Sequence, residues 1–338
     1  MFNHETLEKY DSKKMYKIYD NWPNLAKTAY SSELEPVNFE NIDHIVFAGM
    51  GGSGAIGDLF ESILSKTNIH VTVVKGYLLP KTVDENTLVI TTSVSGNTIE
   101  TLSILESTNK LNCQSIAFCS GGKMKQFCID NDINFRIINR VHSPRASFVI
   151  FVYSILSILE NIIPINKKEI LSSIESLFEM YKQISSYNLT DSNPAINIAE
   201  WISGIPLIYF PCGLQSAAIR FKSALQENAK IHAITEDIIE SCHNGIVAWE
   251  TPSHVQPILL RGSEDYSKTK ERFSIVEQYF IKNNISFKVI NSTNGNILTK
   301  IISLIYLLDY ASIYSAINRR IDPSPVNSIN YIKKQLNS

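Results

Sequence analysis

The stretch His44-Ile45-Val46-Phe47-Ala48-Gly49-Met50-Gly51-Gly52-Ser53-Gly54-Ala55 decides how this chain is read. An apolar run enters a glycine turn and leaves it as a helix-length segment, Ala55 to Leu64. Such a strand-turn-helix is the opening of a parallel α/β unit. Without side chains at Gly51, Gly52 and Gly54, backbone amides and the positive end of the helix can close on an anion, and Ser53 adds a hydroxyl donor.

Outward from this turn the rhythm continues. The runs Val71–Val74, Leu88–Thr91, Ser115–Cys119 and Phe135–Ile138 are separated by a helix from Asn97 to about Lys110 and a short segment near Lys123. Short β-branched runs alternating with helices predict a parallel sheet covered on both faces. A polar helical stretch, Asn166 to Leu189, makes a seam near Ser185-Ser186. The rhythm then restarts with Pro206–Pro211, a helix from Leu214 to about Lys230, Val255–Leu260, a helix from Tyr266 to Lys282, and Ser286–Ile290. The second half repeats the architecture, but its first turn, Cys212-Gly213-Leu214-Gln215, has no Gly-Gly-Ser. The expected division is an N-terminal helical arm (1–36), a phosphate-binding domain (37–164), a connecting helical segment (165–192), a second domain (193–322) and a C-terminal helix completing the active site (323–338).

A second loop, Ser93-Val94-Ser95-Gly96-Asn97-Thr98, also follows a strand. Asn97 and Glu100 are spaced as a helix cap and its reciprocating acid, which would gather Ser93, Ser95 and Thr98 at another helix N-terminus. Gly52, Ser53, Ser93, Ser95 and Thr98 then make a phosphate cradle without a lysine. Tight turns and caps are the plain alternative for either loop; two such loops after strands of one sheet weigh against it. Gly49-Met50-Gly51-Gly52-Ser53-Gly54 also satisfies the dinucleotide pattern G-x-G-x-x-G, which calls for an acid after the next strand. The chain there reads Val73-Val74-Lys75-Gly76-Tyr77, and no P-loop occurs.

Composition narrows the partners. The 338 residues are 44% hydrophobic, with 31 Lys and Arg against 33 Asp and Glu, a net charge of −2 and no long basic stripe, so nucleic acid is not expected. His4, Glu5, Glu8 and Lys9 stand where a signal peptide would be apolar. Five cysteines without a Cys-x-x-Cys pair fit reduced thiols in the cytoplasm. Two apolar runs, Phe148–Ile163 and Ile297–Ile317, contain Glu160, and Lys300 with Asp309, respectively. They are expected to be core helices, with no membrane partner.

Gly49–Gly54, Thr92–Thr101, Ser143-Pro144-Arg145-Ala146, Glu227-Asn228-Ala229-Lys230, His243-Asn244 and Asp322-Pro323-Ser324-Pro325-Val326, in this order, resemble the bifunctional phosphoglucose/phosphomannose isomerase family. The resemblance spans nearly the whole chain. It implies an α/β fold of two sugar isomerase (SIS) domains, each a mainly parallel sheet flanked by helices. It also implies interconversion of glucose 6-phosphate, and of mannose 6-phosphate, with fructose 6-phosphate, without metal or cofactor. By resemblance Glu227 is the base that moves a proton between C2 and C1, and Arg145 steadies the enediolate. His243, entering from the partner of a homodimer, and Lys333 open the ring; neighbouring Lys334 competes with Lys333 for that role. Where the family commonly reads His-Asn-Glu, this chain has Gly245, and a missing carboxylate there could alter the orientation of the histidine. Two other readings share the loops: an isomerase of amino sugar phosphates, which would lack the full set Arg145, Glu227, His243 and Lys333, and a sugar-phosphate sensor without turnover. A sensor usually carries a DNA-binding segment, and the residues before His44 are too few and too mixed in charge for a convincing helix-turn-helix.

Overall fold

In the computed structural model, residues 2–336 are described. The chain begins with α1 (His4–Tyr10), α2 (Met15–Asp20) and α3 (Trp22–Tyr30). The first half follows as β1 (His44–Ala48), α4 (Gly52–Leu64), β2 (His70–Val74), β3 (Thr87–Ser93), α5 (Ile99–Thr108), β4 (Gln114–Cys119), α6 (Gly122–Asp130) and β5 (Asn134–Ile137). Helices α7 (Phe148–Ile158), α8 (Lys167–Ile184) and α9 (Pro194–Trp201) lead to the second half. That half holds β6 (Ile205–Phe210), α10 (Gln215–Ala224), β7 (Ile234–Asp237), α11 (Ile238–Ser241), β8 (Val255–Arg261), α12 (Ser267–Lys282) and β9 (Lys288–Asn291), and closes with α13 (Ile297–Asn318) and α14 (Asn327–Leu336).

Both sheets are wholly parallel, in the orders β2-β1-β3-β4-β5 and β7-β6-β8-β9. Strand β7 escapes the pattern reading, because Ile-Thr-Glu-Asp carries too little apolar signal, as suits an edge strand. Alternation along the strands assigns their faces. Ile45, Phe47, Leu88, Ile90, Ile116 and Phe118 of the first sheet, with Ile208, Phe210, Ile258 and Leu260 of the second, join one continuous core. The residues between them, such as Val46, Val89, Leu207 and Tyr209, pack into smaller clusters on the outer faces.

Between the sheets run the helices that the sequence marked as core. Helix α7 is almost fully buried, and α13 is buried over 89% of its most apolar window. Helix α8 starts at a capping box between Asn166 and Glu169 and stops at Ser185, on the expected seam. The N-terminal helices are driven into the same core. Trp22 is fully buried, stacks on Tyr19 and Tyr306, and donates from Nε1 to the Ala146 carbonyl at 3.0 Å. Truncating so large a side chain in a packed interior costs about 3–5 kcal/mol.

Candidate functional site

The first loop opens α4 at Gly52. A Cβ on Gly52 would lie 3.2 Å from the Pro144 carbonyl oxygen and 3.3 Å from the Arg145 Cα, so the glycine turn rests directly on the Pro144-Arg145 backbone. Buried Ser53 accepts the Val94 amide through Oγ at 3.3 Å, which ties the first loop to the second. In the second loop Ser93 Oγ accepts the Gly96 amide at 3.1 Å and donates to Thr98 Oγ1 at 3.0 Å, while Ser95 Oγ accepts the Asn97 amide at 3.3 Å. Gly96 has φ 67°, and a Cβ there would run into the Gly121 carbonyl. Only glycine suits that conformation at that contact.

One detail of the loop reading is corrected. Asn97 does not cap α5, which begins at Ile99 behind Thr98 with no side-chain cap bond. Asn97 instead accepts the Lys123 amide at 3.0 Å and donates to the Ser95 carbonyl at 3.0 Å. Its short amide serves the start of α6 as well as its own loop, and so gives up the cap geometry. Gly52, Ser53, Ser93, Ser95 and Thr98 are nonetheless brought together by these contacts.

Arg145 lies three residues before α7 rather than within it, and is only 6% exposed. Its guanidinium donates from Nε to Asn228 Oδ1 at 2.7 Å, from Nη1 to Glu227 Oε2 at 3.1 Å, and from Nη2 to the carbonyls of Pro323 and Ser324 at 2.7 and 3.1 Å. A buried cation needs this many acceptors. Glu227 sits where α10 widens into a π turn, Leu225–Ala229, closed by Lys230 in the left-handed region at φ 58°. Such bulges turn a side chain out of the regular helical stagger and recur at functional sites. Here the widening leaves Asn228 buried, donating to Ser312 Oγ at 2.8 Å, and the Glu227 carboxylate 26% exposed. Lys230 returns its ammonium to the Glu227 carbonyl at 2.5 Å. Burial, then Arg145, lowers the Lys230 pKa.

Beneath this pair lies a second ion pair that the motifs did not single out. Arg220 donates from Nε and Nη2 to Asp309 Oδ2 at 3.2 and 2.5 Å and from Nη2 to the Arg145 carbonyl at 2.9 Å, with its guanidinium carbon 3.9 Å from the Phe148 ring centre. Tyr19 adds its hydroxyl to Asp309 Oδ2 at 3.0 Å. Burial raises the Asp309 carboxyl against the pull of Arg220. A small cavity of about 20 Å3 joins the glycine turn to the two ion pairs: its lining includes Gly51, Gly52, Arg145, Glu227, Arg220 and Asp309. The signal for Asp309 was in the sequence, as a lone acid in an otherwise apolar helix.

His243 and Lys333 are not in that lining. His243 follows α11 and is exposed; Lys333 and Lys334 occupy the last turn of the exposed α14. At Gly245, a Cβ would collide with the Glu236 carboxylate, so a side chain of strand β7 fills the space beside the histidine turn. Asn244 donates to Glu240 Oε1 at 2.7 Å and accepts the Gly245 amide. Among the described residues no cluster of three or more His, Cys, Asp or Glu side chains is placed to hold a metal.

Two parallel sheets around shared core helices, with serine- and glycine-rich loops after β1 and β3 of the first, define an α/β protein of the SIS type. The SIS domain family matches residues 38–162, and the bacterial phospho-glucose isomerase C-terminal SIS domain matches residues 191–336. The C-terminal domain of a glucosamine-fructose-6-phosphate aminotransferase from Francisella tularensis has the same fold, with a TM-score of 0.69 at 17% identity over 92% of this chain and 98% of that one. The bifunctional phosphoglucose/phosphomannose isomerase of Caldicellulosiruptor bescii is 32% identical over 95% of this chain and 98% of its own length. That of Aquifex aeolicus is 27% identical over 96% and 98%. The chain belongs to the bifunctional phosphoglucose/phosphomannose isomerase family.

Proposed function

We propose that this protein interconverts glucose 6-phosphate and mannose 6-phosphate with fructose 6-phosphate. The observation that carries the reading is the Arg145–Glu227 pair, 3.1 Å apart and on the same small cavity as the glycine turn of the phosphate loops. Glu227 Oε1 has no donor among the described residues, so it is the oxygen free to take a proton. In the open-chain aldose the C2–H bond breaks toward Glu227, its electron pair forms C1=C2, and the carbonyl pair moves onto O1. The charge on O1 develops beside the Arg145 guanidinium, fixed by four acceptors and needing no reorganisation. Glu227 returns the proton to C1 on the electron pair of C1=C2, an O2 pair closes C2=O2, and the proton released from O2 ends on O1, which gives the ketose with its C1 hydroxyl. A cis-enediolate common to both aldoses explains why one base can serve two C2 epimers.

Ring opening in this proposal belongs to His243 and Lys333. As His243 is exposed and absent from the cavity lining, it would act in the site of a second copy, making a homodimer the active unit. Five free cysteines suit a cytoplasmic protein, where this reaction serves glycolysis and gluconeogenesis. The test is a coupled assay with each aldose phosphate. Glu227→Gln should lower kcat by about 10²–10⁴. Silence of the unmodified protein on both sugars overturns the activity, and full turnover by the variant overturns the base.

A further inference from the structure

We propose that Asp309 is a positioning residue for the base Glu227, acting across the small cavity they share through one hydrogen-bonded water. The inference rests on the isomerase reading above.

The two oxygens of Asp309 are used unequally. Oδ2 receives three donors, Arg220 Nε, Arg220 Nη2 and Tyr19 OH, whereas Oδ1 is fully buried and has no partner among the described residues. Leaving a buried carboxylate oxygen unpaired costs its full desolvation, so such atoms in folded proteins generally face a ligand or an ordered water. Asp309 lines the cavity that also touches Tyr19, Arg145, Arg220 and Glu227. At about 20 Å3 that space accepts one water, and the sugar of the proposed reaction would meet Glu227 from its solvent-exposed side. Its polar walls supply the partners that a buried water needs.

The arrangement is anchored from four parts of the chain. Tyr19 comes from α2, Arg220 from α10, Asp309 from α13, and the Arg145 carbonyl that Arg220 grips from the segment before α7. Around Glu227 the charged groups are Arg145, Lys230 on its own turn, Arg220 and Asp309, with Asp322 acting on Lys230. Within this set Asp309 is the acid that directly holds the Arg220 guanidinium. Removing the Asp309 charge leaves Arg220 uncompensated, which favours ionised Glu227 and weakens it as a base.

The experiment measures kcat, KM and the pH profile of kcat/KM on the full-length protein. With Asp309→Asn, kcat should fall about tenfold with KM nearly unchanged, and the acid limb should move to lower pH. The paired variant Arg220→Met with Asp309→Leu removes both charges at similar volume, an exchange that folded cores tolerate. It should return the acid limb to its original place while kcat stays low. Turnover of the unmodified protein is established first, so failure of the isomerase reading is seen separately. A folded Asp309→Asn with unchanged kcat and acid limb overturns the inference. If that variant does not fold, unchanged kcat in the paired variant overturns it.

Discussion

Arg145 Nη1 meets Glu227 Oε2 at 3.1 Å across 82 residues of sequence, joining the segment before α7 to the π turn after α10. The planar guanidinium reaches Asn228, Glu227, Pro323 and Ser324 at once, a fork that an ammonium cannot reproduce. Arg145→Lys should therefore lower kcat by about 10²–10³ although the charge is kept. Steady-state kinetics against fructose 6-phosphate checks this, and a wild-type kcat would remove Arg145 from the mechanism.

For the phosphate loops, Ser53→Ala with Ser95→Ala should raise KM much more than it lowers kcat, because the phosphate is remote from the reacting carbons. Ser53 also holds the Val94 amide, so its loss loosens one loop from the other. An unchanged KM would refute the pocket.

Gly96→Ala should destabilise the protein by about 2–4 kcal/mol, since it adds a Cβ against the Gly121 carbonyl at a positive φ. Gly76→Ala is the matched control: a Cβ there meets nothing within 4 Å, and the change should stay within about 0.5 kcal/mol. Denaturant titration of both variants decides, with equal stabilities counting against the loop geometry.

His44 is 5% exposed, with ring contacts to Thr72, Thr87 and His70, and burial, then His70, lowers its pKa. His142, near Ser324, is lowered by burial and Arg145. Below about pH 6.5 the unfolded chain takes up protons that these folded imidazoles resist. The stability they contribute is thus present above that pH and is lost as pH falls through their folded values. Unfolding midpoints should drop from about pH 7 to about pH 5, and His44→Gln should flatten the fall. A slope unchanged in the variant would exclude His44 as a source.

The architecture was legible because strand runs and helical stretches alternate with clear periods, and the helix before the seam shows as the polar stretch that opens at Asn166. Strand β7 was not legible, for its four residues are half acidic. The two glycine and serine loops stood out by their letters and Arg145 and Glu227 by resemblance, but the π turn could not be read, because no local letter distinguishes it from continued helix. Asn97 misled because its spacing to Glu100 matches a cap, and only the approach of α6 shows what its amide binds. Arg220 and Tyr19 belong to no motif; their role comes from meeting Asp309 in three dimensions.

The continuous core between the sheets has a consequence for the chain as a unit of folding. Split near Ser185, each half would turn a face such as Ile45, Phe47 and Leu88, or Ile208, Ile258 and Leu260, from helix to solvent. Trp22 gives the point its sharpest form, because its indole, from the first turns of the chain, stacks on Tyr306 of α13 beyond the split. Halves produced separately would each carry an uncovered apolar face, so the two repeats visible in the topology depend on each other to fold.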